Sequence, residues 1–316
     1  MRPGNSGSGC RSRSRARARR PTRARRRAAR GAASCRPELT VALLTNPESG
    51  RGGAHEAGRL LRAQGAEVLP FTLNRAREAV RSGASRIVVA GGDGSIGTAA
   101  EVAGMAGVPL AVIPAGTAND FARALGIPLD PSKACRVAVA GTATRSLELA
   151  WIGSRPFVNA ASAGLSPVAA RKAGGLKRLL GPLAYTVGAV RAGLGARPVR
   201  CRVSCDGGAS FDGPAWQVSV AVTGAFGGGS TVEADPQDGE LDVVVIEAGS
   251  RARLILHAYR LRAGGIEAQR RVRSRRCRDL EVLTDGTTGF NVDGELIEMK
   301  DARFRVEAGA FEAVTG

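Results

Sequence analysis

Apolar positions in this chain come in short blocks separated by helical or glycine-rich stretches. Leu39–Thr45 reads as a strand and runs into Asn46-Pro-Glu-Ser-Gly50. A helical stretch carrying Leu60 and Leu61 follows and closes near Gly65. Further strands are expected near Glu67–Thr72, at Ile87–Ala90 and at Leu110–Ile113, with helices near Arg75–Arg81 and from about Ile96. Strands alternating with helices predict an α/β domain built on a mostly parallel sheet with helices on both faces. Ligands of such sheets gather at the carboxyl ends of the strands, where the glycine- and proline-rich turns of this chain also fall.

The pattern changes after about residue 145. Short β-type runs appear at Ser146–Ile152, Val199–Val203, Trp216–Thr223, Leu241–Ile246, Leu280–Leu283 and Phe304–Glu307. A basic insertion at Ala169–Leu194 and a helix at Arg251–Arg262 interrupt them. This predicts three parts: an Arg-rich tail at 1–37, an α/β domain at 38–145 and a mainly antiparallel β domain at 146–316.

Charge sharpens the first boundary. The formal charge is +18, but residues 1–37 hold thirteen arginines and no acidic residue. The tail has no apolar periodicity with which to order itself. It reads as a disordered leader or as sequence upstream of the true start. An electrostatic hook for anionic membrane or nucleic acid and an Arg- and Ser-rich targeting segment are further readings. The six cysteines are scattered, and Cys201 and Cys205 lack zinc-ligand spacing, so reduced thiols in a cytoplasmic protein are expected. The uncharged stretch Val102–Asn119 is broken by Pro109, Pro114 and Gly116 and suits a turn better than a membrane span.

Candidate chemistry centres on Gly91-Gly-Asp-Gly-Ser95. Glycines permit close approach and let backbone N–H groups face an anion, which a following helix N-terminus favours. Asp93 would repel phosphate unless it holds a cation, a hydroxyl or a backbone group. Pro114-Ala-Gly-Thr-Ala-Asn-Asp-Phe-Ala-Arg123 also leaves a strand and opens a helix, with Thr117 offering a hydroxyl and Asn119 and Asp120 able to cap. Taken alone, this is equally a Pro-Gly turn with an Asx cap. Asn46 and Ser49 lie in a third such turn. Asp238-Gly-Glu and Asp293-Gly-Glu read by themselves as β-turns. His55 and His257 have no partner at metal spacing and read as solvated or packed residues.

In order and spacing, the three loops, Asp238-Gly-Glu-Leu-Asp-Val243 and Asn291-Val-Asp-Gly-Glu295 resemble the bacterial lipid kinases of the diacylglycerol kinase catalytic-domain family, within the diacylglycerol and sphingosine kinase superfamily. The resemblance spans about residues 39 to 314 and departs at Ser95, where the family usually has Thr. It implies transfer of the γ-phosphoryl group of ATP to the hydroxyl of diacylglycerol or a related lipid alcohol. The second domain would be a β-sandwich of lipid-substrate type, packed across a cleft. Carried over by position, Asn46, Ser49, Thr72, Gly91, Gly92, Asp93, Gly94, Ser95, Ile96, Gly97 and Thr117 would contact ATP. Glu295 would be the base, Asp93 and Asp120 would join a network around a catalytic Mg²⁺, and Asp235, Asp238 and the Glu240 carbonyl would hold a structural Mg²⁺.

The expected location is cytoplasmic and peripheral at the membrane surface. Arg171, Lys172, Lys177, Arg178, Arg191, Arg197 and Arg200 flank an apolar stretch that reads equally as an anionic-lipid contact or a solvated helix face. The basic run Arg270–Arg278 fits an exposed strand. Expected partners are ATP, a lipid alcohol and an anionic membrane, with a homodimer left open. No specific nucleic-acid partner is expected, since the tail holds no aromatic residue. Two alternatives remain: an NAD kinase-like sugar-hydroxyl kinase, and a nucleic-acid- or membrane-binding protein with a vestigial kinase core.

Overall fold

The computed structural model describes residues 39–46, 53–165, 197–223, 234–250 and 271–315. Strands β1 (Thr40–Thr45), β2 (Glu67–Thr72), β3 (Arg86–Gly91) and β4 (Leu110–Pro114) stand in the order β2-β1-β3-β4, every neighbouring pair parallel. The described helices are α1 (Gly53–Ala63), α2 (Asp93–Ala106), α3 (Asp120–Ala124) and α4 (Pro131–Ala140), with a 3₁₀ run at Leu73–Arg81.

These strands are apolar at nearly every position because both faces of the sheet are covered. Ala42, Leu44, Ile87, Val89, Leu110 and Val112 turn toward one core, shared with Ile96, Ala99 and Ala103 of α2. Val41, Leu43, Val88, Ala90, Ala111 and Ile113 turn the other way, onto Leu61 of α1 and Ala134, Cys135 and Ala138 of α4.

The remaining strands are β5 (Thr144–Ile152), β6 (Arg155–Phe157), β7 (Ala160–Gly164), β8 (Val199–Cys205), β9 (Gly208–Ala221), β10 (Leu241–Glu247), β11 (Val272–Cys277), β12 (Asp279–Val292) and β13 (Glu295–Val314). They pair with one another antiparallel, along the path β11-β10-β9-β7-β12-β13, with β8 on β9 and β12 and β6 on β5. Their core holds Phe157, Val203, Val220, Val243, Phe290 and Phe304, with the Phe157 and Phe304 rings edge to face at 6.2 Å.

The two halves share hydrogen bonds. Ala313, near the end of β13, pairs in parallel with Leu110 of β4, and β5 runs antiparallel along β13. Leu147, Leu149 and Trp151 of β5 point into the core beneath α2, while Ala150 and Ile152 enter the second core. The division expected at 145/146 therefore falls inside a strand that serves both cores.

Three local expectations change. Helix α2 begins at Asp93 rather than near Ile96, so the glycine loop forms its first turn. The segment expected as a helix near Arg75–Arg81 is 3₁₀: Ala76 and Ala79 are buried and Arg75 pairs with Glu78, and these i, i+3 partners align in that geometry. Helix α4 and strands β6 and β7 are elements the hydrophobic pattern did not single out. The tail, Ser49, the insertion Ala169–Leu194 with its basic residues up to Arg191, and Arg251–Arg262 with His257 lie outside the described residues. Of the basic run, Val272–Cys277 forms β11, with Arg273, Arg275 and Arg276 exposed and Cys277 buried.

Candidate active site

Two glycine turns meet at the carboxyl ends of β3 and β4. A Cβ on Gly116 would lie 2.6 Å from Gly92 Cα, and one on Gly92 would lie 3.1 Å from Gly116 Cα. The Ala115 N–H donates to the Gly91 carbonyl at 2.9 Å. Asn119 holds its own turn: Oδ1 accepts from the Gly116 N–H and Nδ2 donates to the Gly116 carbonyl. Its φ of 52° is one that Asn tolerates better than most residues.

The loop glycines also make room for the rest of the chain. A Cβ on Gly91 would sit 2.8 Å from Ser95 Oγ, and one on Gly97 would sit 2.5 Å from the Pro156 carbonyl oxygen. A Cβ on Gly94 would sit 2.5 Å from Glu295 Oε1. Two motifs far apart in sequence, the glycine loop and Asp293-Gly-Glu295, are thus in van der Waals contact. Ile96 is buried in the core beneath α2, so only its backbone can face a ligand.

An acidic network lies beneath this contact. Asp93 Oδ1 accepts from the Phe121 N–H at 3.0 Å and from Asn159 Nδ2 at 3.1 Å. Asp120, beside Phe121, opens α3. The Asp293 carboxylate accepts the N–H groups of Val158, Asn159 and Ala160 at 2.8 to 3.0 Å. Asp293 and Gly294 have φ of 47° and 91°, so they form the turn that the sequence predicts, and that turn is clamped from outside. Burial pushes the Asp293 carboxyl up to about 7; the three N–H donors oppose this and the Asp93 charge adds to it. Glu295 opens β13, with Oε2 in an ion pair with Arg155.

The remaining expected nucleotide residues divide by location. Thr72 ends β2 and, with Thr45, Pro70, Phe71, Arg75 and Glu78, lines a cleft of about 220 Å³; its hydroxyl donates to Asn74. Asn46 follows Thr45 and is half-buried, and Thr117 is exposed in the second glycine turn.

Asp238 and Glu240, with Asp242, stand around a guanidinium, while Asp235 bonds within its own turn. Arg276 bonds Asp238 Oδ2 and reaches Glu240 Oε2 and Asp242 Oδ1 at 3.4 Å each. The other Asp238 oxygen accepts the Glu240 N–H, and Asp235 Oδ1 accepts the Gln237 N–H. Mg²⁺ needs oxygens free to close on it at about 2.0–2.1 Å, and of the three ligands expected for a structural Mg²⁺, Asp238 is here paired with Arg276 instead. Among the described residues no group of three or more His, Cys, Asp or Glu converges as a metal set. Arg276→Gln is expected to lower stability by about 1–3 kcal/mol, between the exposed and buried ion-pair limits. The same variant should gain more thermal stabilisation from Mg²⁺ than wild type, read from melting with and without chelator.

Glu148 packs under this loop, 1% exposed, with Oε2 accepting the Gly239 N–H and Oε1 without a hydrogen-bond partner among the described residues. Burial pushes its carboxyl up to about 7 against that N–H, and Asp235 and Asp242 add to the rise. Both Glu148 and Asp293 bind protons more tightly folded than unfolded. Their contribution is therefore fully present below the unfolded carboxylate range and is lost as pH rises through about 7. Melting temperature should fall between pH 5 and pH 8, and Glu148→Gln should flatten that slope.

Arg155, Glu148, Asn159 and Arg276 were not among the expected site residues. Two of them left a trace in the sequence: Glu148 and Asn159 are single polar residues inside the apolar runs Leu147–Ile152 and Phe157–Ala161.

Comparison with known proteins agrees with this geometry. Residues 40–150 match the diacylglycerol kinase catalytic domain, and residues 159–315 match the YegS C-terminal NAD kinase beta sandwich-like domain. A Pseudomonas putida protein named "Probable lipid kinase YegS-like" is 33% identical over 245 residues, covering 74% of this chain and 78% of the relative. A Mycobacterium tuberculosis diacylglycerol kinase is 29% identical over 233 residues, 68% of this chain and 75% of the relative. The crystal structure of a Bacillus anthracis diacylglycerol kinase superposes with a TM-score of 0.69 at 19% identity, covering 88% of this chain and 97% of that one, and so shares the fold. With both halves matched in order and a relative above 30% identity over most of its length, the chain belongs to the bacterial diacylglycerol kinase catalytic-domain family of lipid kinases.

Proposed function

We propose that the protein transfers the γ-phosphoryl group of ATP to the hydroxyl of a lipid alcohol such as diacylglycerol. The observation that carries this reading is the contact between Glu295 and Gly94, which sets a carboxylate against a phosphate-binding type of loop. Phosphoryl transfer is mainly positioning and charge neutralisation. The glycine turns of β3 and β4 would receive the phosphates, and Thr72 and Asn46 would stand toward the nucleoside. Glu295 would accept the lipid hydroxyl proton as the oxygen bonds to Pγ and the bond from Pγ to the β–γ bridging oxygen breaks, releasing ADP.

A divalent cation bound with ATP would offset charge on the phosphate oxygens. Asp93 fits such a partner: its two donors fall on Oδ1, and among the described residues none bonds Oδ2. Asp120, next to the Phe121 amide, is the second carboxylate expected there. Among the described residues no helix is long and apolar enough to cross a membrane, so the lipid would be met at the bilayer surface.

The test is radiolabelled ATP with mixed micelles carrying diacylglycerol, other lipid alcohols or none, and in parallel with NAD. A labelled phospholipid is expected. Labelled NAD without any labelled lipid would overturn the reading.

A further inference from the structure

Which oxygen of Asp93 is held, and which is left without a hydrogen bond among the described residues, is set by groups outside its own helix. Asp93 is the first residue of α2, where a carboxylate's nearest partners are the unpaired N–H groups of that same turn. Both of its hydrogen bonds instead come from elsewhere, from the Phe121 amide of α3 and from Asn159 just before β7. Both land on Oδ1.

Asn159 is 3% exposed and fixed at every polar group. Its Oδ1 accepts from Thr223 Oγ1 at 2.9 Å, and its Nδ2 donates to Asp93. Its backbone N–H donates to Asp293 Oδ1 at 3.0 Å, and its carbonyl accepts the Val222 N–H at 2.9 Å. The amide's orientation follows from its neighbours: a carboxylate needs a donor, so Nδ2 must face Asp93 and Oδ1 must face the Thr223 hydroxyl. One buried residue therefore joins α2, the β12–β13 turn and the end of β9.

We propose that Asn159 is a positioning residue that holds Asp93 by Oδ1 and so presents Oδ2 to the divalent cation of the bound nucleotide. The inference rests on the kinase reading above and adds a residue to it. Asn159 touches no reacting atom. It acts through Asp93, and Thr223 acts through Asn159 by fixing the amide. Without it Asp93 keeps, among the described residues, only the Phe121 donor, and its carboxylate can turn toward the N–H groups of its own helix turn.

The test measures ATP binding by calorimetry with and without Mg²⁺, no lipid present, in wild type, Asn159→Ala, Thr223→Val and the double variant. Wild type should bind ATP more tightly with Mg²⁺. In Asn159→Ala that gain should shrink at least about 10-fold, as for other residues that orient metal ligands, while metal-free ATP affinity stays within about twofold. Thr223→Val should shift the gain the same way by less, and adding it to Asn159→Ala should change nothing further. Equal loss with and without Mg²⁺, an unchanged gain in Asn159→Ala, or additive effects would each overturn the inference. Should Asn159→Ala fail to fold, Thr223→Val decides, and an unchanged gain there overturns it. A wild type without Mg²⁺-dependent ATP binding would remove the kinase reading as well, whereas a wild type with it and insensitive variants would remove only the role of Asn159.

Discussion

Glu295→Gln is expected to reduce phosphorylation of the lipid alcohol by about 10²–10⁴-fold, the range for a positioned general base, with ATP binding retained. Glutamine keeps the shape that lies against Gly94 and can still accept a hydrogen bond from Arg155 through its amide oxygen. What it loses is the carboxylate that takes the proton. Its side chain is 48% exposed, so loss of the ion pair with Arg155 should change stability by no more than about 1 kcal/mol. Turnover on mixed micelles, calorimetric ATP affinity and melting temperature separate the outcomes. A parallel fall of ATP affinity and turnover would make Glu295 a structural support for the glycine loop instead. Arg155→Ala is a useful companion, since it releases Glu295 without changing it.

The parts of this fold that can be read from sequence are those where one physical requirement dominates. Ile87–Ala90 is legible because a strand covered on both faces must be apolar throughout. The start of α2 is not, because glycine is a poor helix former and Gly91 to Ser95 read as loop; packing of Gly94 on Glu295 and Gly97 on Pro156 requires glycines inside the first turns. Strands β12 and β13 were visible only in fragments. Their pairing slips between Leu283 and Thr288, and β13 slips against β5 between Glu307 and Phe311, where Gly309 takes a φ of 62°. Each irregularity breaks the alternation that marks a strand.

The site was legible to a different depth. Asp93 stands out locally because a carboxylate between glycines would repel the phosphate that such a loop suits, whereas Asn119 and Asp120 read equally as an Asx cap. Glu295 did not: Asp293-Gly294 is the hairpin turn that a local reading gives, and only resemblance to the family singled out the glutamate after it. The clamp on Asp293, the Asn159 bridge and the pairing of Arg276 with Asp242 across β10 and β11 are products of strand register. No local pattern encodes them. The same register sets Arg276 among the Asp238, Glu240 and Asp242 carboxylates.

Asp93→Asn should leave the fold intact and remove use of Mg²⁺·ATP. The asparagine oxygen can take the place of Oδ1 and still accept from the Phe121 N–H and Asn159 Nδ2. Its NH₂ group then occupies the place of Oδ2, and a donor cannot coordinate a cation. Melting temperature should therefore move little, while turnover falls by about 10²–10³-fold, as when one electrostatic contact to a charged transition state is removed. The Asp93 charge is one of the causes that raise the Asp293 carboxyl to about 7, so Asp293 should titrate lower in this variant. Because a raised carboxyl loses its contribution to stability as pH rises, the variant should also lose less stability than wild type between pH 5 and pH 8. Unchanged turnover at limiting Mg²⁺ would show that Asp93 holds the loop and nothing more. Lost turnover together with a flatter pH slope would place its charge at the junction of the nucleotide loop and the β12–β13 turn that carries Glu295.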